Sequence, residues 1–174
     1  VANTAGIVCV KVTGAANFNS SPGFKTVANQ LCVNSGHVLL LDLTDCVTMD
    51  STFLGVLARL SQRLKKPIEL LNPANRITDL LDNLGVLDYY KIGQGDNPLT
   101  ADLQKAKTTP SAKRELAETS LDAHRLLMEL NADNIPRFKD ITKFLEEDLF
   151  IFPLPNFTPD KKSEDLLLFI NTET

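Results

Sequence analysis

Two stretches of the chain are apolar almost without a break. Gly6-Ile7-Val8-Cys9-Val10-Lys11-Val12-Thr13-Gly14 is rich in β-branched residues and bracketed by glycines, and Val38-Leu39-Leu40-Leu41 lies between Gly36 and Asp42. Continuous hydrophobicity of this kind suits strands buried on both faces. After the second strand the pattern turns polar from Asp42 to Thr52, which predicts a loop, and then becomes helical. Leu54, Leu57, Ser61 and Leu64 recur at helical spacing, with Arg59, Gln62 and Arg63 on the wetter side. Asp50 or Ser51 is the expected N-cap, since a short side-chain oxygen can accept the unpaired amides of the first turn.

The same alternation continues on either side. Ser20 or Ser21 before Pro22 opens a helix whose apolar face is Phe24, Val27, Ala28, Leu31 and Cys32. Pro67 to Asn72 reads as a short strand, and Asn72 or Asn75 as the cap of a helix burying Ile77, Leu80, Leu81 and Leu84 and ending at Gly85. Val86 to Ile92 supplies a last strand. Strands alternating with helices of about a dozen residues predict an α/β fold with a mostly parallel sheet.

Beyond Gly93 the period changes. Gly93 to Pro98 marks a boundary, Lys105 to Ser111 a charged connector, and residues 112–150 a helical stretch. Its seam, Leu121, His124, Met128, Asn131, Ile135, Phe138, Ile141, Leu145 and Leu149, advances in threes and fours. Pro136 predicts a kink, or a tight break with a second helix starting beside it. Such a seam can fold onto its own domain, pair with a second copy as a homodimer, or hold a partner helix. Phe152 to Pro159 carries too many prolines for a helix, while Leu166 to Ile170 is too apolar for water and is expected to add a strand at an open sheet edge.

Charge and composition narrow the classes. With 174 residues, 43% hydrophobic and 23% charged, the chain can build one sizeable core plus an appendage. A net charge of −4 with only Arg63-Leu64-Lys65-Lys66 as a basic cluster argues against nucleic-acid binding. Cys9, Cys32 and Cys46 lack disulfide or metal spacing and read as free thiols of a reducing cytoplasm. No apolar run approaches the roughly 20 residues of a membrane helix, and no secretory leader is evident. A Gly-rich phosphate loop, a metal-spaced Cys/His cluster and a nucleophile elbow are all missing, so neither an enzyme nor a bound cofactor is expected. His37 and His124 read as structural. Asp42, Asp45 and Asp50 fall near element ends, where they solvate the loop or could bind a cation.

The run Leu40-Leu41-Asp42-Leu43, Met49-Asp50-Ser51-Thr52, Leu54-Gly55-Val56-Leu57, together with the helix stop before Val86, resembles the STAS domain of anti-sigma factor antagonists. The resemblance implies a STAS-like mostly parallel or mixed sheet of four to five strands with helices on it, over residues 1–95. Residues 96–111 then form a linker, 112–150 a helical extension foreign to the core fold, and 151–174 a tail. It also implies a bacterial, cytoplasmic partner-switching regulator. The hydroxyl residue after the aspartate, Ser51 with Thr52 as competitor, would be phosphorylated by a serine kinase that is itself an anti-sigma factor, and a protein phosphatase would reset it. Asn17, Phe18, Ser20, Asp50, Thr52, Phe53 and Gly55 are the expected partner-binding residues. Two departures from the family stand out: Val1 to Ala5 is short for the usual first strand, and Phe53 replaces a common glycine. Alternatives are a constitutive STAS subunit of a transporter or sensory assembly, and a small-ligand or nucleotide-binding module.

Overall fold

The computed structural model describes residues 6–33, 37–97, 99, 103–106, 108–150 and 166–171. Val1 to Ala5 and the proline-rich Phe152 to Pro159, for which expectations were given above, lie outside the described residues. In chain order the elements are β1 (Ile7–Ala16), α1 (Ser21–Ala28) running into a π-type turn, β2 (Val38–Asp42), β3 (Cys46–Met49), α2 (Ser51–Leu64), β4 (Ile68–Leu71), α3 (Asn75–Asn83), β5 (Tyr90–Gly93), β6 (Gln104–Lys105), α4 (Lys113–Leu130), α5 (Ile135–Phe150) and β7 (Leu166–Asn171).

Five strands run parallel. β2 pairs with Ile7–Lys11 of β1, and β3 takes over along Gly14–Ala16 after a register shift. β4 and β5 extend the sheet beyond β2, and the helical crossovers force the common direction. The expected α/β class is thus observed, with more strands than expected. Two antiparallel strands, β7 and β6, complete the order β5-β4-β2-β1-β7-β6. β7 pairs with Cys9–Gly14 along the side of β1 away from β2, and Gln104–Lys105, inside the 96–111 stretch read as a linker, pairs with β7.

Three local expectations need correction. The loop expected from Asp42 to Thr52 contains β3, which buries Cys46 and Met49 and pairs with Gly14–Ala16 of β1 through a register shift that interrupts the two-residue alternation of a strand. The last strand starts later than expected, at Tyr90, after a 3-10 turn over Leu87–Tyr89. Neither asparagine caps α3, whose N-cap is Ala74; Asn72 instead takes a left-handed φ of 53° and ties two loops, its amide donating to Thr44 Oγ1 and to the Gly95 carbonyl.

Phe24, Leu39, Leu41, Phe53, Leu57 and Ile68 are fully buried at the centre of the core. The helical extension belongs to this core. Ala123 and Leu127 of α4 join the main cluster, and a satellite cluster of Ala117, Leu121, Leu145 and Leu149 holds α5 to α4. Pro136 stands in the first turn of α5 after a 3-10 turn at Ala132–Asn134, the tight break that proline at a helix start allows. That turn is anchored below, since the Asn131 and Asn134 amides both donate to the Leu84 carbonyl at the end of α3.

Candidate functional site

Asp50 organises the end of the sheet where α2 begins. As the N-cap it accepts from the Phe53 amide at 2.9 Å through Oδ1, and from the Phe18 amide at 2.7 Å through Oδ2. Its own N–H donates to the Ala16 carbonyl. One carboxylate therefore starts α2 and fixes the loop after β1 beside it.

Within that loop Asn17 and Ser20 serve each other: Ser20 Oγ donates to the Asn17 carbonyl and accepts from the Asn17 amide, both at 2.9 Å. Asn17 Oδ1 accepts from the Asn19 amide. Asn17, Phe18 and Ser20 are all partly exposed, so the loop presents a surface beside Ser51.

Ser51, the first residue of α2, is half-buried, and its Oγ lies 2.9 Å from His124 Nε2 of α4. The imidazole Nδ1 lies 3.3 Å from Ser120 Oγ, which lies 3.3 Å from Thr52 Oγ1. Ser120 also makes a backbone hydrogen bond to the ring. The ring also meets Phe138 of α5, centroids 4.7 Å apart and planes tilted by 40°.

Farther along the same face Gly55 meets Ala123. A Cβ built on Gly55 would stand 2.6 Å from Ala123 Cβ and 2.7 Å from its carbonyl oxygen, so this glycine is what lets the two helices cross. Arg59 closes the contact with an ion pair to Asp122 at 2.9 Å.

The structure therefore separates the residues that the sequence grouped. Asn17, Phe18, Ser20, Asp50 and Ser51 share one partly exposed rim. Thr52 and Gly55 are buried under α4, and Phe53 is sealed in the core against Phe24, ring centroids 4.7 Å apart. Those three present no surface in this arrangement. His124, read from the sequence as a structural seam residue, and Ser120, which was not singled out, join the site.

The other acidic residues are engaged elsewhere. Asp45 pairs with Lys11 at 2.7 Å. Asp42 is buried and accepts from the amide and hydroxyl of Thr44 and from the Asn97 amide. Burial alone would raise its carboxyl, but these hydrogen bonds outweigh it and hold the group below its ordinary value. Among the described residues no group of three or more His, Cys, Asp or Glu could hold a metal ion. A cavity beside α2, lined by Lys25, Ala28, Asn29, Val56, Arg59 and Arg63 among others, has a volume of about 20 Å³, room for about one water.

A family model for the STAS domain matches residues 1–106, more than half of the chain. The chain belongs to the STAS family. A search of curated proteins finds no match. In this STAS protein the matched region ends just past β6, so α4, α5 and β7 lie outside it while packing onto it. Among the described residues no helix is long and apolar enough to cross a membrane.

Burial pushes the His124 imidazole below its ordinary 6.5, against the smaller upward pull of the Ser120 backbone bond and the Asp50 carboxylate. A base whose folded value is depressed binds its proton first in the unfolded chain, so its burial favours folding above about pH 6.5 and that contribution is lost as pH falls toward the folded value. The urea midpoint is accordingly expected to drop between pH 7.5 and 5.5 in the native chain and to drop less in His124→Gln. Equal slopes in the two proteins would remove His124 as the cause. Asp42 does not confuse the comparison, because its own depressed carboxyl acts at and below its ordinary 3.8.

Proposed function

We propose that this STAS protein is a non-catalytic, cytoplasmic anti-sigma factor antagonist that works by partner switching. Its rim, Asn17, Phe18, Ser20, Asp50 and Ser51, binds a kinase-type anti-sigma factor, and phosphorylation at Ser51 controls that binding. The supporting observation is the position of the Ser51 hydroxyl: half-buried, at the N-terminus of α2, next to an aspartate that ties down the neighbouring loop. Thr52, the competing hydroxyl, is only 4% exposed and faces Ser120.

In the transfer, the Ser51 Oγ–P bond forms as the bond from the γ-phosphorus of a nucleoside triphosphate to its bridging oxygen breaks. The diphosphate leaves, and the hydroxyl proton passes to a base on the kinase. The product carries about −1.5 to −2 charges beside Asp50, where helix amides partly stabilise it but a docked partner meets repulsion. A loss of about 1.4 kcal/mol there weakens binding about tenfold. A phosphatase restores the first state.

Incubating the full chain with its cognate kinase-type anti-sigma factor and ATP is expected to place one phosphoryl group on Ser51, read by peptide mass spectrometry. Label on Thr52, or on neither residue, overturns the assignment. The cover that α4 places over Thr52 and Gly55 favours a second reading, a constitutive scaffold subunit of a transporter or sensory assembly. In that case Ser51→Asp leaves partner affinity unchanged.

A further inference from the structure

The Ser51 hydroxyl is the only part of this rim that touches the helical extension directly through a side-chain hydrogen bond in the described structure, and the partner across that bond is buried. We infer that a phosphoryl group on Ser51 and a seated α4 exclude one another, so that the extension is a cover operated in cis by the modification. The inference rests on Ser51 as phosphoacceptor and adds what its phosphate does inside the same chain.

The argument is first one of space. Ser51 Oγ and His124 Nε2 are already at hydrogen-bond distance, 2.9 Å, leaving no room between them for phosphorus and three oxygens. The imidazole has nowhere to retreat, with Ser120 on its Nδ1 side and Phe138 against its face. Spreading α2 and α4 far enough to admit the group opens the close Gly55–Ala123 crossing that packs the two helices.

Charge acts in the same direction. Among the described residues, the groups in hydrogen-bond, ring or electrostatic contact with the imidazole are Ser51, Ser120, Phe138 and the Asp50 carboxylate, none of them cationic. A dianion placed there lies beside that carboxylate and against a ring whose charged form burial disfavours, and the desolvation of such a charge is large. Water outside the crossing solvates the phosphate far better. Moving α4 away is the rearrangement that admits it. By linkage, a seated α4 must disfavour phosphorylation to the same extent that the phosphate disfavours seating.

The experiment needs no kinase. Phosphoserine is incorporated at position 51 of the full chain during translation, and amide hydrogen exchange is compared with the native chain and with Ser51→Ala. Exchange over α4, residues 113–130, is expected to rise about tenfold or more with phosphoserine while β1, β2 and β4 stay protected. Ser51→Ala, which loses only the hydrogen bond, is expected to rise far less. Unchanged or stronger protection of α4, as from a phosphate clamped by His124, overturns the inference.

Should phosphoserine unfold the sheet as well, the His124→Ala background decides. There the vacated imidazole space admits the phosphate, and phosphoserine is expected to change α4 exchange by less than about threefold. A full tenfold rise in that background refutes the steric origin. The kinase experiment can fail while this one succeeds, which separates the phosphoacceptor assignment from the behaviour of the cover.

Discussion

A chain ending at Asp160 is expected to lose its cooperative fold or to survive only as an oligomer. The removed segment contains β7, which pairs with six consecutive residues of β1 from Cys9 to Gly14. A ladder of that length contributes on the order of 3–9 kcal/mol at about 0.5–1.5 kcal/mol net per hydrogen bond, a large part of the roughly 5–15 kcal/mol that holds a domain together. β1 is a poor strand to leave open. Val8, Cys9, Val10 and Val12 are buried, so its edge carries unpaired amides on a largely apolar ribbon whose single charge, Lys11, is held by Asp45, and no proline guards it. Urea unfolding and light scattering of the truncated chain decide the matter. A monomer with the full-length midpoint would show that β1 does not depend on β7.

That edge also shows how far the sequence could be read. Leu166 to Ile170 stood out because five apolar residues cannot be left in water. Hydrophobic demand points to a place in the sheet for β7, although it does not specify the antiparallel register with β1. β3 was invisible because its four residues, buried only at Cys46 and Met49 and interrupted by a register shift, show no two-residue alternation to separate them from a loop. Asn72 was misread because an asparagine before a helix is usually a cap. Here its left-handed backbone turns the amide toward Thr44 and Gly95 instead.

At the site, local chemistry was legible and long-range packing was not. The aspartate cap, the adjacent hydroxyl and the neighbouring loop can be read from residues 17–20 and 50–51, because capping is decided within one turn. What covers α2 is decided by a helix about 70 residues later. The seam chosen on α4 and α5 used one continuous phase through Pro136, but the break at Ala132–Asn134 resets it. Leu121, His124, Leu145 and Leu149 are buried as that phase requires, whereas Ile135 and Ile141 are exposed. The face that meets α2 is instead built of small residues, Ser120 and Ala123 with His124, and small residues give almost no hydrophobic signal. A histidine among serines and alanines on one helical face was the available clue, since such a face permits the close approach that lets an imidazole reach another helix.

The close approach makes Gly55 the position where one methyl group has the largest consequence. Alanine inside a helix is ordinarily better than glycine by about 1 kcal/mol, so an isolated α2 would gain from Gly55→Ala. In the folded chain the new Cβ falls 2.6 Å from Ala123 Cβ and 2.7 Å and 2.8 Å from its carbonyl oxygen and carbon. Two of those three atoms are backbone and cannot swing aside, and forcing extra volume into a packed contact costs about 1–3 kcal/mol, enough to outweigh the propensity. Gly55→Ala is therefore expected to be destabilising, and Gly55→Val by about 3 kcal/mol, with its two further methyl groups driven into the crossing. The expected pattern of damage is specific: amide exchange rises in α4 before it rises in the β1–β2–β4 sheet, because the clash separates helices and leaves the strands untouched. Ala123→Gly removes the nearest of the three atoms and is expected to recover part of the Gly55→Ala loss, a non-additivity of about 0.5 kcal/mol or more in a double-mutant cycle. Gly55→Ala as stable as the native chain, or strict additivity with Ala123→Gly, would mean that the two helices do not cross at these residues, and the cover over Ser51 would then have no fixed seat.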